Sequence, residues 1–239
     1  MVITMTDSFR YYEESQYLIS MVPPDRLVSL GLRLAFDRET HILDLCCGYG
    51  EMLKLWHTAF GIRGVGVDVC REFIECGRRR QPDGEAVHLI CGDAQSYADD
   101  EKYDVVCCTE AFGDIRDIAG TIAFLEKYAK PNGKLLFGRL YAKTECPPKA
   151  LTDFDGEIET LADINRRIRA CGYNITALAT DTDAQWEDYI TWSAKRDLEH
   201  LRRNPNDQET RAWLDKWYDL YFRYRRPYEG WALFGLEKG

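Results

Sequence analysis

Hydrophobic and polar positions follow two different rhythms along this chain. Near the start, Leu27, Leu30 and Leu34 recur at three- and four-residue steps after Pro23, Pro24 and Asp25, which predicts a helix opened by proline. An earlier helix is expected after the capping residues Thr6, Asp7 and Ser8. From residue 41 short apolar runs take over. Residues 41–45, 64–69, 86–93, 103–112 and 134–141 each read as a strand. The stretches 51–60, 71–80 and 118–130 between them read as helices, and Pro131, Asn132 and Gly133 form a turn signal before the fifth strand. Strands alternating with helices predict a parallel, doubly wound α/β sheet.

The tail departs from this alternation. Residues 158–172 read as a helix closed by Gly172, and 173–182 as a strand. Residues 184–203 and 207–226 read as two long helices split at Asn204, Pro205 and Asn206, and 230–238 as a last strand. The two final strands are therefore joined through a helical insert. Between 183 and 231 lie five of the six Trp and five of the 14 Tyr, so this insert carries much of the chain's aromatic surface.

Composition narrows the function classes. The 239 residues carry 40 acids against 31 bases, a formal charge of -9, and the excess is spread over both halves: 23 against 18 in residues 1–150, and 17 against 13 in 151–239. Nonspecific nucleic-acid or anionic-membrane binding needs a basic surface, so neither partner is expected. No apolar run approaches a membrane span and the first residues lack a signal-peptide pattern, so the expected compartment is the reducing cytoplasm with its nine cysteines free. No CxxC pair occurs, which excludes a zinc ribbon or thioredoxin motif.

The strongest chemical signal is residues 41–53. An apolar strand ends in Asp44, turns through Cys46, Cys47, Gly48, Tyr49 and Gly50, and enters a helix at once. Glycines let a backbone approach a ligand closely, and a helix start offers free N–H groups. A dinucleotide site wants a third glycine where Leu53 stands. An acid at 44 disfavours a pyrophosphate and suits an ammonium group.

The run Asp44-Leu45-Cys46-Cys47-Gly48-Tyr49-Gly50 resembles the first motif of the class I S-adenosylmethionine-dependent methyltransferases, Asp-x-Gly-x-Gly-x-Gly. Three later landmarks resemble the same family. Asp68 ends the second strand, where the family's acid meets both ribose hydroxyls. Gly92-Asp93-Ala94 ends the third, where the acid meets the adenine amino group. Thr109-Glu110-Ala111-Phe112 ends the fourth, facing the methyl donor. The turn before strand five and the Gly230-Trp231 start of the last strand are similar to stand-alone bacterial small-molecule methyltransferases of this family. One position departs: Cys46 replaces the motif's first glycine, and a β-carbon there narrows the approach and resists positive φ.

The resemblance implies a Rossmann-like seven-stranded sheet with an antiparallel last strand, an S-adenosylmethionine cofactor and S-adenosylhomocysteine as product. The expected layout is one domain: a helical cover (1–38), a cofactor-binding core (39–182), the insert (183–227) and the final strand (228–239). Cofactor contacts are expected from Asp44, Cys46, Cys47, Gly48, Gly50, Asp68, Val69, Asp93, Ala94 and Glu110. Glu110 and Tyr141 are candidates for polar catalytic work. Tyr11, Tyr12, Phe112, Arg139, Tyr141, Trp186 and Tyr189 are candidates for the acceptor side, with Arg139 suited to an acidic substrate.

Other features have plainer readings. His41, His57, His88 and His200 show no metal-ligand spacing. Cys46, Cys70, Cys91 and Cys108 fall near the ends of four strands, which in such a sheet share one crevice; small core filling explains them more simply than an oxidant-sensitive pocket. Trp213, Trp217, Tyr221 and Tyr224 have helical-stripe spacing and read as core, and the basic run 223–226 as a solvated face. The expected activity is in-line methyl transfer to the N, O or S atom of a small molecule. Methylation of RNA or protein, and cofactor binding without transfer, are the alternatives. No metal is expected, and the oligomeric state is open.

Overall fold

The computed structural model describes residues 20–80, 86–109 and 117–239. The helix expected after Thr6, and Tyr11, Tyr12, Glu110 and Phe112, lie outside the described residues. Strands β1 (His41–Leu45), β2 (Arg63–Asp68), β3 (Val87–Cys91), β4 (Tyr103–Cys108), β5 (Ala129–Ala142), β6 (Tyr173–Thr180) and β7 (Glu229–Lys238) form one sheet in the order β3-β2-β1-β4-β5-β7-β6. The first five pair in parallel, and β7 runs antiparallel between β5 and β6. This is the doubly wound, seven-stranded fold the sequence predicts, with its last strand reversed.

The inner strands are apolar because they are covered on both faces, while the edge strands β3 and β6 alternate buried and exposed positions. On one face α1 (Pro24–Arg33), α2 (Glu51–Phe60) and the start of α7 (Asp183–Arg203) set Leu27, Leu30, Leu53, Trp56 and Ile190 against Ile42, Val105, Leu136 and Leu233. On the other, α4 (Ile118–Glu126) and α6 (Leu161–Ala170) set Ile122, Leu125, Ile164 and Ile168 against Leu43, Val106, Leu135 and Phe234. The largest of these side chains, Trp56, is fully buried and its indole N–H is satisfied by the Leu27 carbonyl at 2.9 Å. α3 (Arg71–Arg79) follows β2 and packs Ile74 on the α2 side.

Four elements differ from the sequence reading. α4 ends at Glu126, and β5 already begins at Ala129. Tyr103 pairs with Ala129 and Val105 with Lys134, so the Pro131–Gly133 turn is a bulge inside β5 and not a loop before it. A short helix, α5 (Lys149–Asp155), was not expected; Pro148 stands at its N-cap as Pro23 stands at that of α1. The second insert helix is broken. It runs as α8 (Gln208–Leu220) and then as a π turn, Tyr221–Arg225, in which Arg226 N–H donates to the Tyr221 carbonyl. A last helical turn, α9 (Arg226–Tyr228), follows, and Pro227 within it has no N–H to add to the ladder. Among the described residues no helix is long and apolar enough to cross a membrane.

Candidate active site

The carboxyl ends of the parallel strands open on one edge, and the β1–α2 turn sits at its centre, where the strand order reverses. The backbone N–H groups of Cys46 and Cys47 both donate to the Val67 carbonyl, at 2.8 and 3.1 Å. That sharp reversal needs a left-handed residue, and Cys46 supplies it at φ 67° although it is not glycine. The departure from the motif is thus in residue type only; the backbone keeps the glycine conformation. Gly48 and Gly50 are also left-handed, at φ 57° and 75°, and Gly50 leads directly into α2. Cys47 turns inward against Gly66, where a β-carbon would lie 2.7 Å from its sulfur.

Asp44 lies beneath this turn, 1% exposed, between Gly66 and Cys107 on the flanking strands. Its Oδ1 has no hydrogen-bond partner among the described residues. Burial, and then the charge of Asp68, push its carboxyl up to about 8. A buried carboxyl in this condition is costly unless a donor or cation meets it. Asp68, at the end of β2, accepts from Gly48 N–H and Cys70 N–H, each at 2.8 Å, so it ties the β1 and β2 turns together. Burial raises its pKa, and those two hydrogen bonds oppose the rise.

The next strand end continues the edge. Gly92 N–H donates to the Asp68 carbonyl at 2.9 Å. Asp93 is exposed, its carboxylate accepting Gln95 N–H at 2.9 Å, while Ala94 is buried in the core below. Val69 stands between these two acids with 64% of its surface exposed, an apolar side chain facing outward beside Asp68. Two carboxylates at adjacent strand ends with an exposed apolar residue beside them suit a nucleoside.

Toward β5 the edge becomes aromatic. Tyr141 lies near the end of β5, half-buried, its O–H 3.4 Å from Asp181 Oδ1. Its ring takes the space where Gly230 has no β-carbon, and the Trp231 ring and the Thr109 carbonyl do the same at Gly138. The Gly230-Trp231 start of β7 is therefore an interlock with β5. Arg139 is paired with Glu159 at 3.1 Å, and Glu159 also pairs with Arg167 at 3.0 Å. This places Arg139 in an ion-pair chain with Glu159 and Arg167. Trp186 is buried in the sheet-side core and touches Tyr189, which is half-buried.

A family model described as a methyltransferase domain matches residues 43–137. The YjhP protein of Escherichia coli K12 is 31% identical over 225 residues, covering 89% of this chain and 90% of its own length. A methyltransferase of Geobacter sulfurreducens, solved in complex with S-adenosylhomocysteine, superposes with a TM-score of 0.88 at 28% identity, over 97% of this chain and 98% of its own. This chain belongs to the class I S-adenosylmethionine-dependent methyltransferases. A demethylmenaquinone methyltransferase of Staphylococcus saprophyticus is also similar, at 29% identity over 97 residues, 39% of this chain and 42% of that protein. S-adenosylmethionine is the cofactor, and the residues fit it: a buried carboxyl with an unpartnered oxygen, two acids at adjacent strand ends and an exposed Val69 between them.

The methyltransferase also holds groups that sequence reasoning missed. Asp155 and Glu229 flank Arg225 at 2.5 and 3.4 Å; Arg225 and Glu229 are buried and Asp155 is half-buried, and the Arg225 guanidinium lies 4.4 Å from the Trp217 ring centre. Burial pushes the Glu229 carboxyl up to about 8 against the pull of Arg225. Asp181 ends its strand as Asp44, Asp68 and Asp93 end theirs, and that shared position was the available signal. Glu229 had none: it begins a strand, and only the reversal of β7 brings it to the same edge. The nine cysteines are free. Cys91 and Cys108 end β3 and β4, with Cys46 and Cys70 just past β1 and β2, as expected. Burial raises the Cys47 and Cys107 thiols well above the ordinary range, which keeps them protonated and unreactive. Among the described residues no cluster of three His, Cys, Asp or Glu is arranged to hold a metal.

Proposed function

We propose that this enzyme transfers the methyl group of S-adenosylmethionine to an O, N or S atom of a small-molecule acceptor. The cofactor supplies a methyl carbon made electrophilic by its sulfonium. In this reading Asp44 faces the ammonium, with Cys46, Cys47, Gly48 and Gly50 giving close backbone approach. Asp68 accepts from the ribose hydroxyls, Val69 packs on the adenine, and Asp93 with Ala94 borders its amino edge. The protein's work is to hold acceptor and donor in line and to keep water away.

The observation that carries this reading is Asp44, a carboxyl buried beneath the β1–α2 turn with an oxygen that nothing in the described chain satisfies. For the acceptor, the supporting features are the even acidity of the chain and the aromatic insert beside the open edge. Relatives that methylate a quinone precursor point the same way. Free thiols support a reducing, cytoplasmic setting, and the chain is read as one domain. The test is incubation with labelled S-adenosylmethionine and a metabolite extract of the host, followed by mass spectrometry. A small molecule one methylene heavier is expected. Label appearing only in RNA or protein contradicts the reading.

A further inference from the structure

β6 runs parallel to β5, so its last residues reach the same edge as the cofactor turn, and antiparallel β7 begins there. Three acidic residues converge at this end: Asp181 after β6, Glu229 at the first position of β7, and Asp155 closing α5. Asp155 and Glu229 are sealed, and Arg225 neutralises one of them. Asp181 is different. It is half-buried and keeps an exposed part, and its own N–H is held by the Trp231 carbonyl at 2.8 Å. Its carboxyl receives the Tyr141 hydroxyl. The Trp186 indole N–H, buried and without a partner of good geometry, approaches it from α7. Trp231, whose carbonyl anchors Asp181, also packs its ring on Gly138 beside the Thr109 carbonyl at the end of β4.

Resting on the methyl-transfer reading, we propose that Asp181 is the catalytic base that takes the acceptor's proton, and that Tyr141 positions its carboxylate. The acceptor is then a hydroxyl or a neutral amine, whose proton must leave once the new bond forms. An acceptor lone pair forms the new bond to the methyl carbon, and the carbon–sulfur pair stays on sulfur. The acceptor's O–H or N–H electrons remain on that atom, and its proton passes to the Asp181 carboxylate. Burial raises the Asp181 pKa, which suits a group that must hold a proton. The charged groups facing it are Lys143 beyond β5 and Glu229 on β7: Lys143 favours the carboxylate, and Glu229 lies close enough for each to disfavour the other's charge. Tyr141 and Trp186 complete the surroundings as hydrogen-bond donors.

Two readouts on the full chain test this. In cofactor-free protein, tryptophan fluorescence is followed against pH. A step above the ordinary carboxylate range is expected, absent in Asp181→Asn and moved to higher pH in Tyr141→Phe, because the lost donor no longer favours the charged form. In methyl transfer into the metabolite extract, Asp181→Asn should lower the rate about 100-fold at unchanged S-adenosylhomocysteine affinity. Asp181→Glu should restore part of it, and Tyr141→Phe should shift the acid limb of the pH profile upward. An Asp181→Asn rate within twofold of the parent, no titration at Asp181, or loss of cofactor affinity in step with rate overturns the proposal. No transfer by the parent protein overturns the methyl-transfer reading itself.

Discussion

Cys46 holds a conformation that its side chain opposes, since φ 67° places a β-carbon against the following carbonyl. Such strain costs on the order of 1–3 kcal/mol and persists only where neighbours enforce it, here the paired hydrogen bonds to Val67. Cys46→Gly should therefore stabilise the fold by about 1 kcal/mol, a rise of roughly 2–4 °C in melting temperature by calorimetry. Asp44 makes a pH prediction. Its carboxyl, raised to about 8, holds a proton at neutral pH, and an ammonium placed beside it favours the ionised form. Cofactor binding should then release a proton, and affinity should rise between about pH 6 and 7.5 by up to about tenfold per unit. Calorimetry in two buffers of different ionisation enthalpy reads that proton directly; identical enthalpies contradict it. Asp68→Ala removes hydrogen bonds from a charged acceptor, each worth about 1.5–3 kcal/mol, and should weaken S-adenosylhomocysteine binding at least about tenfold by titration. Circular dichroism checks that the tied turns survive. The strand-end positions of Asp44, Asp68 and Asp93 were legible in the sequence because an apolar run ending in an acid and a turn is a local pattern. The Arg139–Glu159 pair was not, because the partners lie 20 residues apart and no local pattern joins them.

At the scale of elements, the strands and α1 to α3 were legible because each is a simple apolar run or stripe covered by sheet neighbours. The bulge in β5 was hidden: Pro131, Asn132 and Gly133 signal a turn equally well inside a strand pair or before it. The change to a π turn after α8 goes with the burial of Arg225 in its ion pair, which a helical periodicity does not register. Arg225 makes the π turn a structural joint between α5, α8 and β7. Replacing it by Met leaves Asp155 buried with its charge uncompensated, while Glu229 already holds its proton at neutral pH. Arg225→Met should cost about 3 kcal/mol, seen as a lower denaturant midpoint at unchanged slope.

At the scale of the whole molecule, the sheet gathers acids from distant parts of the chain onto one edge. Asp44, Asp68 and Asp93 come from three strands in the first half, and Asp181 and Glu229 reach the same edge through β6 and the reversed β7. The charge of -9 is thus partly local: these acids gather on one edge, which suits a cationic, hydroxyl-rich cofactor. The helical insert between β6 and β7 starts and ends at that edge and carries Trp186 and Tyr189 on its first helix. The most direct test of this account follows labelled methyl groups from S-adenosylmethionine in a host lysate containing the purified enzyme. The account predicts label in the small-molecule fraction, lost with Asp68→Ala; label confined to RNA or protein, or none in any fraction, would contradict it.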